Sequence, residues 1–159
     1  GRTANFDAAK SAALAITMMD WQEFGRDYAA MMAATAKALA EALAERQVPV
    51  FARDRGMTTS HQFAIEAAPY GGGQAAAKRL RAVNILSCGI GLPLAEVAGD
   101  VNGLRLGTPE IVRFGMKPAH MPEPARYIAD GRSRARPDEA IARDVTAFRR
   151  RFCRLHYVR

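Results

Sequence analysis

The chain has 159 residues, 49% of them hydrophobic, which is enough for one domain with a buried core and excludes a wholly disordered protein. No apolar run approaches the ~20 residues that cross a bilayer, and the first residues lack a signal-peptide pattern, so we expect no membrane partner. The two cysteines, Cys88 and Cys153, have neither metal-binding nor redox spacing and are predicted to be free thiols in the cytoplasm.

A net charge of +7 and a pI near 10.0 raise the possibility of nucleic-acid binding. The sequence lacks the RNA-stacking aromatic pattern and the zinc-finger and helix-turn-helix signatures. Asp138, Glu139 and Asp144 are interleaved with the late arginines. We therefore expect no nucleic-acid partner and interpret the late arginines as a solvated helix face or a contact with an acidic partner chain. These arginines are Arg132, Arg134, Arg136, Arg143, Arg149, Arg150, Arg151, Arg154 and Arg159.

The N-terminal part predicts two alanine-rich helices. Asn5 can cap the first, which covers about residues 6–19, and residues 20–23 mark a bend or a new cap. The second helix extends to about Arg46, and its apolar positions recur at three- and four-residue steps. Without a partner these helices would expose an apolar stripe. From the order of these elements we predict a helical segment at residues 1–46 and a small α+β domain at 47–159.

The second segment predicts four short strands and a glycine turn. The triple glycine at 71–73 lacks the Gly-Lys-Ser/Thr of a phosphate loop, so we interpret it as a turn before a helix at about 74–83. The predicted strands are Val48 to Ala52, His61 to Ala67, Asn84 to Leu86 and Leu104 to Leu106, and further helices are predicted at about 109–114, 122–130 and 138–152. This order of elements indicates an α+β fold.

Residues 104–109, Leu-Arg-Leu-Gly-Thr-Pro, carry the strongest functional signal. Gly107 permits a sharp turn, and Thr108 can cap a helix whose first residue is Pro109. Arg105 would leave the strand opposite its two leucines, and a planar guanidinium held this way suits bidentate capture of a carboxylate. Pairing of Arg105 with a surface acid is the alternative that spacing alone leaves open.

This segment resembles the arginine segment of serine hydroxymethyltransferases, which are fold-type I enzymes of pyridoxal 5'-phosphate (PLP). Residues 59–65, Thr-Ser-His-Gln-Phe-Ala-Ile, are similar to the family's Asp-Asn-His followed by an apolar strand. The resemblance covers nearly the whole chain, but only the C-terminal part of such an enzyme. It implies that the fold is the C-terminal domain of a fold-type I enzyme and that Arg105 binds the substrate's α-carboxylate, with Thr108 and His61 in support.

The resemblance also implies PLP chemistry on β-hydroxy amino acids, in which the cofactor stabilises the carbanion left when an aldehyde departs. None of the four lysines, Lys10, Lys37, Lys78 and Lys117, lies in the context of the family's Schiff-base lysine. We therefore expect a complementary N-terminal segment or chain to supply that lysine, and the whole enzyme to be a homodimer or higher oligomer. No catalytic residue is predicted within this chain, and its cofactor-binding residues are undetermined.

One segment departs from the folate-using members of this family. Where they have Asn-Lys-Asn before a proline, this sequence has Cys88-Gly89-Ile90 before Pro93, which argues against tetrahydrofolate. Residues 89–94, Gly-Ile-Gly-Leu-Pro-Leu, and residues 102–116 resemble the threonine transaldolase branch, including the fluorothreonine-forming type, which implies threonine and an aldehyde as substrates. A folate-dependent hydroxymethyltransferase and a non-catalytic interaction domain are the alternatives.

The histidines give weaker signals. His61 can be a structural histidine before a strand or a residue that orients a loop near Arg105. His120 and His156 have no companion ligands, so no metal site is predicted.

Overall fold

The computed structural model describes residues 7–159. This part of the chain folds as a small antiparallel sheet with helices packed against it, which confirms the predicted α+β class. The helices are α1 (Ala8–Glu45), α2 (Gly73–Arg81), α3 (Pro109–Arg113), α4 (Pro122–Ser133) and α5 (Asp138–Arg149), and the strands are β1 (Gln62–Glu66), β2 (Cys88–Ile90) and β3 (Gly103–Gly107).

The sheet has the order β1-β3-β2, and both pairings are antiparallel. The central strand β3 therefore follows both of its neighbours in the sequence. Side chains alternate across the sheet, so Leu104 and Leu106 are buried on one face while Arg105 is exposed on the other. The predicted strand at 104–106 and its orientation are confirmed.

The N-terminal helix is continuous, so the predicted break at residues 20–23 is wrong. Asp20 is buried in the middle of α1, and its carboxylate accepts a hydrogen bond from the backbone N–H of Arg159 at 3.2 Å. Because the C-terminal tail supplies a hydrogen-bond donor for Asp20, this side chain does not cap a new helix. Gly25 leaves room for the Trp21 ring, because a Cβ there would lie 2.6 Å from Cε3 of Trp21.

The start of α1 is capped by Asp7, whose Oδ1 accepts the backbone N–H of Ala9 at 3.0 Å. The predicted cap, Asn5, lies outside the described residues. The predicted apolar stripe is exposed only in the first half of α1, where Ile16 and Met19 are exposed together with Leu14 and Met18. The second half is buried against β1, α3 and α4.

The predicted strand at Val48 to Ala52 is reduced to one bridge, Val50 with Ile65. Two features stop a longer ladder from forming. Pro49 has no N–H to donate, and Ala52 adopts a left-handed conformation with φ of 54° that turns the chain away. A 3-10 helix at Arg53–Arg55 follows.

The predicted strand at Asn84 to Leu86 is wrong as well. Asn84 has a φ of 63°, and the N–H of Ile85 donates back to the carbonyl of Leu80 at 3.0 Å. This left-handed residue ends the turn after α2, as Asn commonly does at helix ends. The strand forms later, at Cys88–Ile90.

The late arginines mostly find partners inside the domain. Arg136 contacts Asp144 at 2.7 Å, Arg151 contacts Glu123 at 3.0 Å, and Arg149 lies over the ring of Phe114 with its guanidinium carbon 4.0 Å from the centroid. Much of the basic charge thus belongs to intramolecular pairs. Within residues 7–159, none of the helices combines the length and the apolarity needed to span a bilayer.

Candidate functional site

Arg105 lies in the middle of the central strand. Its direct cross-strand neighbours are Ala64 on β1 and Cys88 on β2, and Gly103 and Gly107 are the next residues on the same face of β3. All four are small, so the long arginine side chain stands above a low surface. The backbone beneath it is fixed by hydrogen bonds to strands on both sides.

The guanidinium of Arg105 has no salt bridge and no side-chain hydrogen bond with any residue from 7 to 159. Glu66 and Gln62 share this face of the sheet, directly across from Gly103 and Gly107, but neither pairs with the arginine. Within this part of the chain, the alternative of pairing with a surface acid is therefore not observed. The five donors of Arg105 remain free for a planar acceptor.

Thr108 lies at the N-cap position of α3, but it does not cap the helix with its side chain. Its ψ of -3° is helical, whereas a capping side chain needs an extended backbone to reach the free N–H groups. Instead, the buried hydroxyl donates to the carbonyl of Met32 at 2.8 Å and also lies 3.1 Å from that of His61. Thr108 therefore ties the end of β3 to α1 and to the start of β1.

His61 contributes its backbone to the same corner. The N–H of Thr108 donates to the carbonyl of His61 at 3.0 Å, immediately before β1 begins. The His61 side chain is exposed. The structure thus brings Thr108 and His61 together at the end of β3, the strand that holds Arg105, and the role of the imidazole stays a prediction.

One amide and one acid that organise the adjoining loop, Asn102 and Asp100, were missed by the sequence analysis. Asn102 is buried, and its side-chain amide binds the backbone of Leu92, Leu94 and Ala95. This amide shapes the loop that joins β2 to β3. An Asn-Gly pair before a strand was the available signal, but its partners lie seven to ten residues earlier and no local pattern predicts them.

Asp100 is the second residue that was missed. Its carboxylate accepts the N–H groups of Gln74 and Ala75, each at 3.0 Å, at the start of α2. The hydrogen bonds from Gln74, Ala75 and Val101 hold the pKa of Asp100 below its usual value. Gly73 is required here because a Cβ would lie 1.9 Å from the carbonyl oxygen of Gly103. The predicted glycine turn is confirmed.

Comparison with known proteins gives two kinds of relatives, although no protein-family model matches the chain. It is 62% identical over 159 residues to an alpha-methylserine aldolase of Ralstonia sp., a match that includes 100% of this chain and 36% of the relative. A serine hydroxymethyltransferase of Pyrobaculum neutrophilum is 37% identical over 155 residues, with 98% of this chain and 36% of the relative covered.

A solved structure agrees with these relatives. The L-threonine transaldolase of Pseudomonas fluorescens, in its internal aldimine state, superposes with a TM-score of 0.78 and 31% identity over 90% of this chain and 32% of that one. The chain is homologous to the C-terminal part of serine hydroxymethyltransferase-like enzymes. Its homologues are enzymes, and it spans about a third of the length of the relatives that it matches.

In serine hydroxymethyltransferase-like enzymes the cofactor is PLP, and this homology confirms the family that the arginine segment predicted. The structure shows the surroundings of all four lysines of this chain. Lys10, Lys78 and Lys117 are exposed on helices or a turn. Lys37 is engaged on α1, where its ammonium donates to the carbonyl of Gly56 at 2.7 Å.

The segment that departs from the folate-using members forms β2. Cys88 pairs with Arg105 and Ile90 pairs with Gly103, so this segment is an edge strand beside the candidate site. Gly89 is required there because a Cβ would lie 2.7 Å from Cγ2 of Val101. Among residues 7–159, no three His, Cys, Asp or Glu side chains are placed to hold a metal ion.

Proposed function

We propose that this chain provides the substrate-carboxylate arginine of a PLP-dependent aldolase that breaks the Cα–Cβ bond of β-hydroxy amino acids. One observation carries the proposal. Arg105 stands on the middle strand of the sheet, among small residues, with no partner for its guanidinium in residues 7–159. A guanidinium in such a position binds a carboxylate through two parallel hydrogen bonds.

The proposed role of Arg105 is to bind and to orient. Two hydrogen bonds to the carboxylate fix the plane of that group, and rotation about the remaining bond then sets the direction of Cα–Cβ. The same pair exists before and during bond cleavage, so it supports affinity as well as rate. Backbone pairing on both sides of β3 keeps the arginine's Cα from shifting.

PLP would supply the electron sink for the charge left on Cα. The lysine that anchors it would come from a complementary N-terminal segment or chain, because the four lysines described above do not fit that role. The remaining parts of the proposal are a cytoplasmic location, an oligomeric whole enzyme and a division of the chain between residues 46 and 47. The exposed apolar first half of α1 supports a covering partner in the whole enzyme.

For the substrate, we favour α-methylserine, which would be cleaved to formaldehyde and alanine. The 62% identity to an alpha-methylserine aldolase supports this choice over the other relatives. Threonine with an acceptor aldehyde is the second candidate, and the structural likeness to a threonine transaldolase supports it. Replacement of the pteridine-holding amides by Cys88-Gly89-Ile90 argues against a need for tetrahydrofolate.

The test uses the whole PLP-loaded enzyme with α-methylserine and with threonine, and measures the aldehyde released. We expect formaldehyde from α-methylserine, at a rate that added tetrahydrofolate does not change. Acetaldehyde released faster from threonine would instead support the transaldolase candidate. Rates that rise severalfold with tetrahydrofolate would favour a hydroxymethyltransferase, and no release from either substrate would leave a non-catalytic interaction domain.

A further inference from the structure

A cavity of about 310 Å³ lies between the buried face of the sheet and helices α2 and α4. Its apolar wall includes Ile65 and Leu104 from the sheet, Leu80 from α2 and Ile128 from α4, each at most 3% exposed. Arg105 leaves the sheet by the opposite face. Ligand-binding clefts usually have volumes of about 300–1,000 Å³, so this space is large enough for a small ligand.

The opposite wall of this cavity is strongly basic. Arg79 of α2, Arg132 of α4 and Arg134 all line it, and no carboxylate does. Asp138, just outside the lining, accepts two hydrogen bonds from Arg79. Arg132 and Arg134 have no salt bridge with any residue from 7 to 159. The lining therefore has more positive charge than its surroundings neutralise.

Donors on this wall are also left without acceptors. The Nε atoms of Arg79 and Arg132 are buried, and neither has a hydrogen-bond partner in the described part of the chain. A buried guanidinium N–H that lacks an acceptor is destabilising, and natural proteins satisfy nearly all such groups. Because these Nε atoms have almost no accessible surface, a ligand would bind the terminal amino groups of the arginines that line the cavity.

Tyr70 places a hydroxyl beside these arginines. The guanidinium carbon of Arg132 lies 4.4 Å from the centroid of the Tyr70 ring, and its Nη1 donates to the phenol oxygen. Burial raises the pKa of Tyr70, although Arg132 opposes the effect. The phenol therefore stays neutral and keeps a proton that it can donate to an anion.

We propose that this cavity binds a small organic anion. Its acid group would contact Arg132, Arg134 and Tyr70, and its short hydrocarbon body would lie against the exposed apolar side chains of Pro69 and Ala75. Guanidinium groups suit both carboxylate and phosphate monoester heads, whereas the apolar wall selects a ligand with a hydrocarbon body over an inorganic ion. The proposal does not depend on the reaction assigned to Arg105.

The test is calorimetric titration of the whole enzyme with hexanoate and with monobutyl phosphate, using 1-hexanol and acetate as reference compounds. We expect one site per chain for at least one of the two anions, with a dissociation constant on the order of 1 mM or below. The comparison of hexanoate with monobutyl phosphate identifies the preferred head group. Acetate lacks the hydrocarbon body and 1-hexanol lacks the acid group. Each should therefore bind at least about tenfold more weakly.

Variants locate the site. Arg132→Gln should weaken the anion about tenfold or more, because it removes a charge-assisted donor. Arg134→Asn should weaken it severalfold without disturbing the fold, since Asn tolerates the φ of 56° at this exposed position. If Arg132→Gln fails to fold, Arg134→Asn tests whether the anion binds in this cavity. Arg143→Gln on α5 loses the same charge from an exposed position and should bind like the parent enzyme.

Three outcomes would overturn the proposal. One is the lack of saturable binding of either anion up to about 20 mM, which would leave a water-filled cavity. Another is equal weakening by Arg143→Gln and Arg134→Asn, which would indicate general surface charge. The third is binding of 1-hexanol as tight as that of hexanoate, which would show an apolar cavity without anion recognition.

Discussion

The segment from Asn102 to Met116 contains two arginines, Arg105 and Arg113, whose guanidinium groups have different surroundings. Arg105 on β3 has no partner for its guanidinium in residues 7–159. The guanidinium carbon of Arg113 on α3 lies 4.6 Å from the centroid of the Tyr28 ring, and its Nη1 donates to the carbonyl of Tyr157 at 3.1 Å. The arginine suited to a ligand is the one whose donors the fold has left free.

The difference follows from what lies next to each arginine. α3 packs on α1, where Tyr28 binds the carbonyl of Pro109 at 2.8 Å and stacks on Tyr157 with 5.0 Å between ring centroids. Arg113 therefore completes a cluster of aromatic rings. Arg105 instead stands over small residues on an open sheet face, where no side chain in the described part of the chain pairs with it.

The largest expected effect comes from Arg105→Lys in the whole enzyme. Lysine keeps the charge but loses the two-pronged geometry, so the carboxylate would be bound through a single mobile group. We expect kcat/KM for cleavage of the amino acid to fall about 100-fold or more, which corresponds to roughly 3 kcal/mol of lost transition-state binding. Steady-state kinetics and the visible absorbance of bound PLP are the measurements, and PLP content should be nearly unchanged.

The comparison between the two arginines would fail if Arg105→Lys cleaved its substrate like the parent. In that case Arg105 would have no part in binding the carboxylate, and the proposed function would lose its main support. A variant that loses PLP together with activity would also contradict the assigned role, because it would show an effect on cofactor retention rather than on the substrate.

The sequence predicted the orientation of Arg105 because alternation along a short strand is a local property. The tight turn before α2 was also local, since glycines mark it. The errors arose where distant residues decide the structure. Asp20 was predicted to break a helix, but its partner is at residue 159. The predicted cap at Thr108 was wrong because its hydroxyl binds the carbonyl of Met32, 76 residues earlier.

Thr108→Val should have an intermediate effect. The change keeps the side-chain shape and removes the hydroxyl that ties the end of β3 to α1, so we expect a loss of about 1–2 kcal/mol in unfolding free energy. KM for the amino acid should rise severalfold because the strand that holds Arg105 is less firmly anchored. Denaturant unfolding and steady-state kinetics measure the two effects.

Thr35→Val is the matched control for Thr108→Val. Thr35 is also fully buried on α1, but its hydroxyl has no hydrogen-bond partner in residues 7–159. Its removal should therefore be neutral or stabilising, with KM unchanged. Equal destabilisation by the two substitutions would show that the contact between Thr108 and Met32 contributes nothing specific.

The smallest effect is expected from Arg113→Lys, the counterpart of Arg105→Lys. Lysine can still place a cation near the Tyr28 ring, but it loses the planar stacking, and its hydrogen bond to the carbonyl of Tyr157 must adjust. We expect a loss of about 0.5–1 kcal/mol in unfolding free energy and a change in kcat/KM of less than about threefold. Because the same substitution is made at both positions, any difference in activity reflects their surroundings alone. A fall in kcat/KM at Arg113 as large as that at Arg105, with stability unchanged, would assign the carboxylate to the wrong arginine.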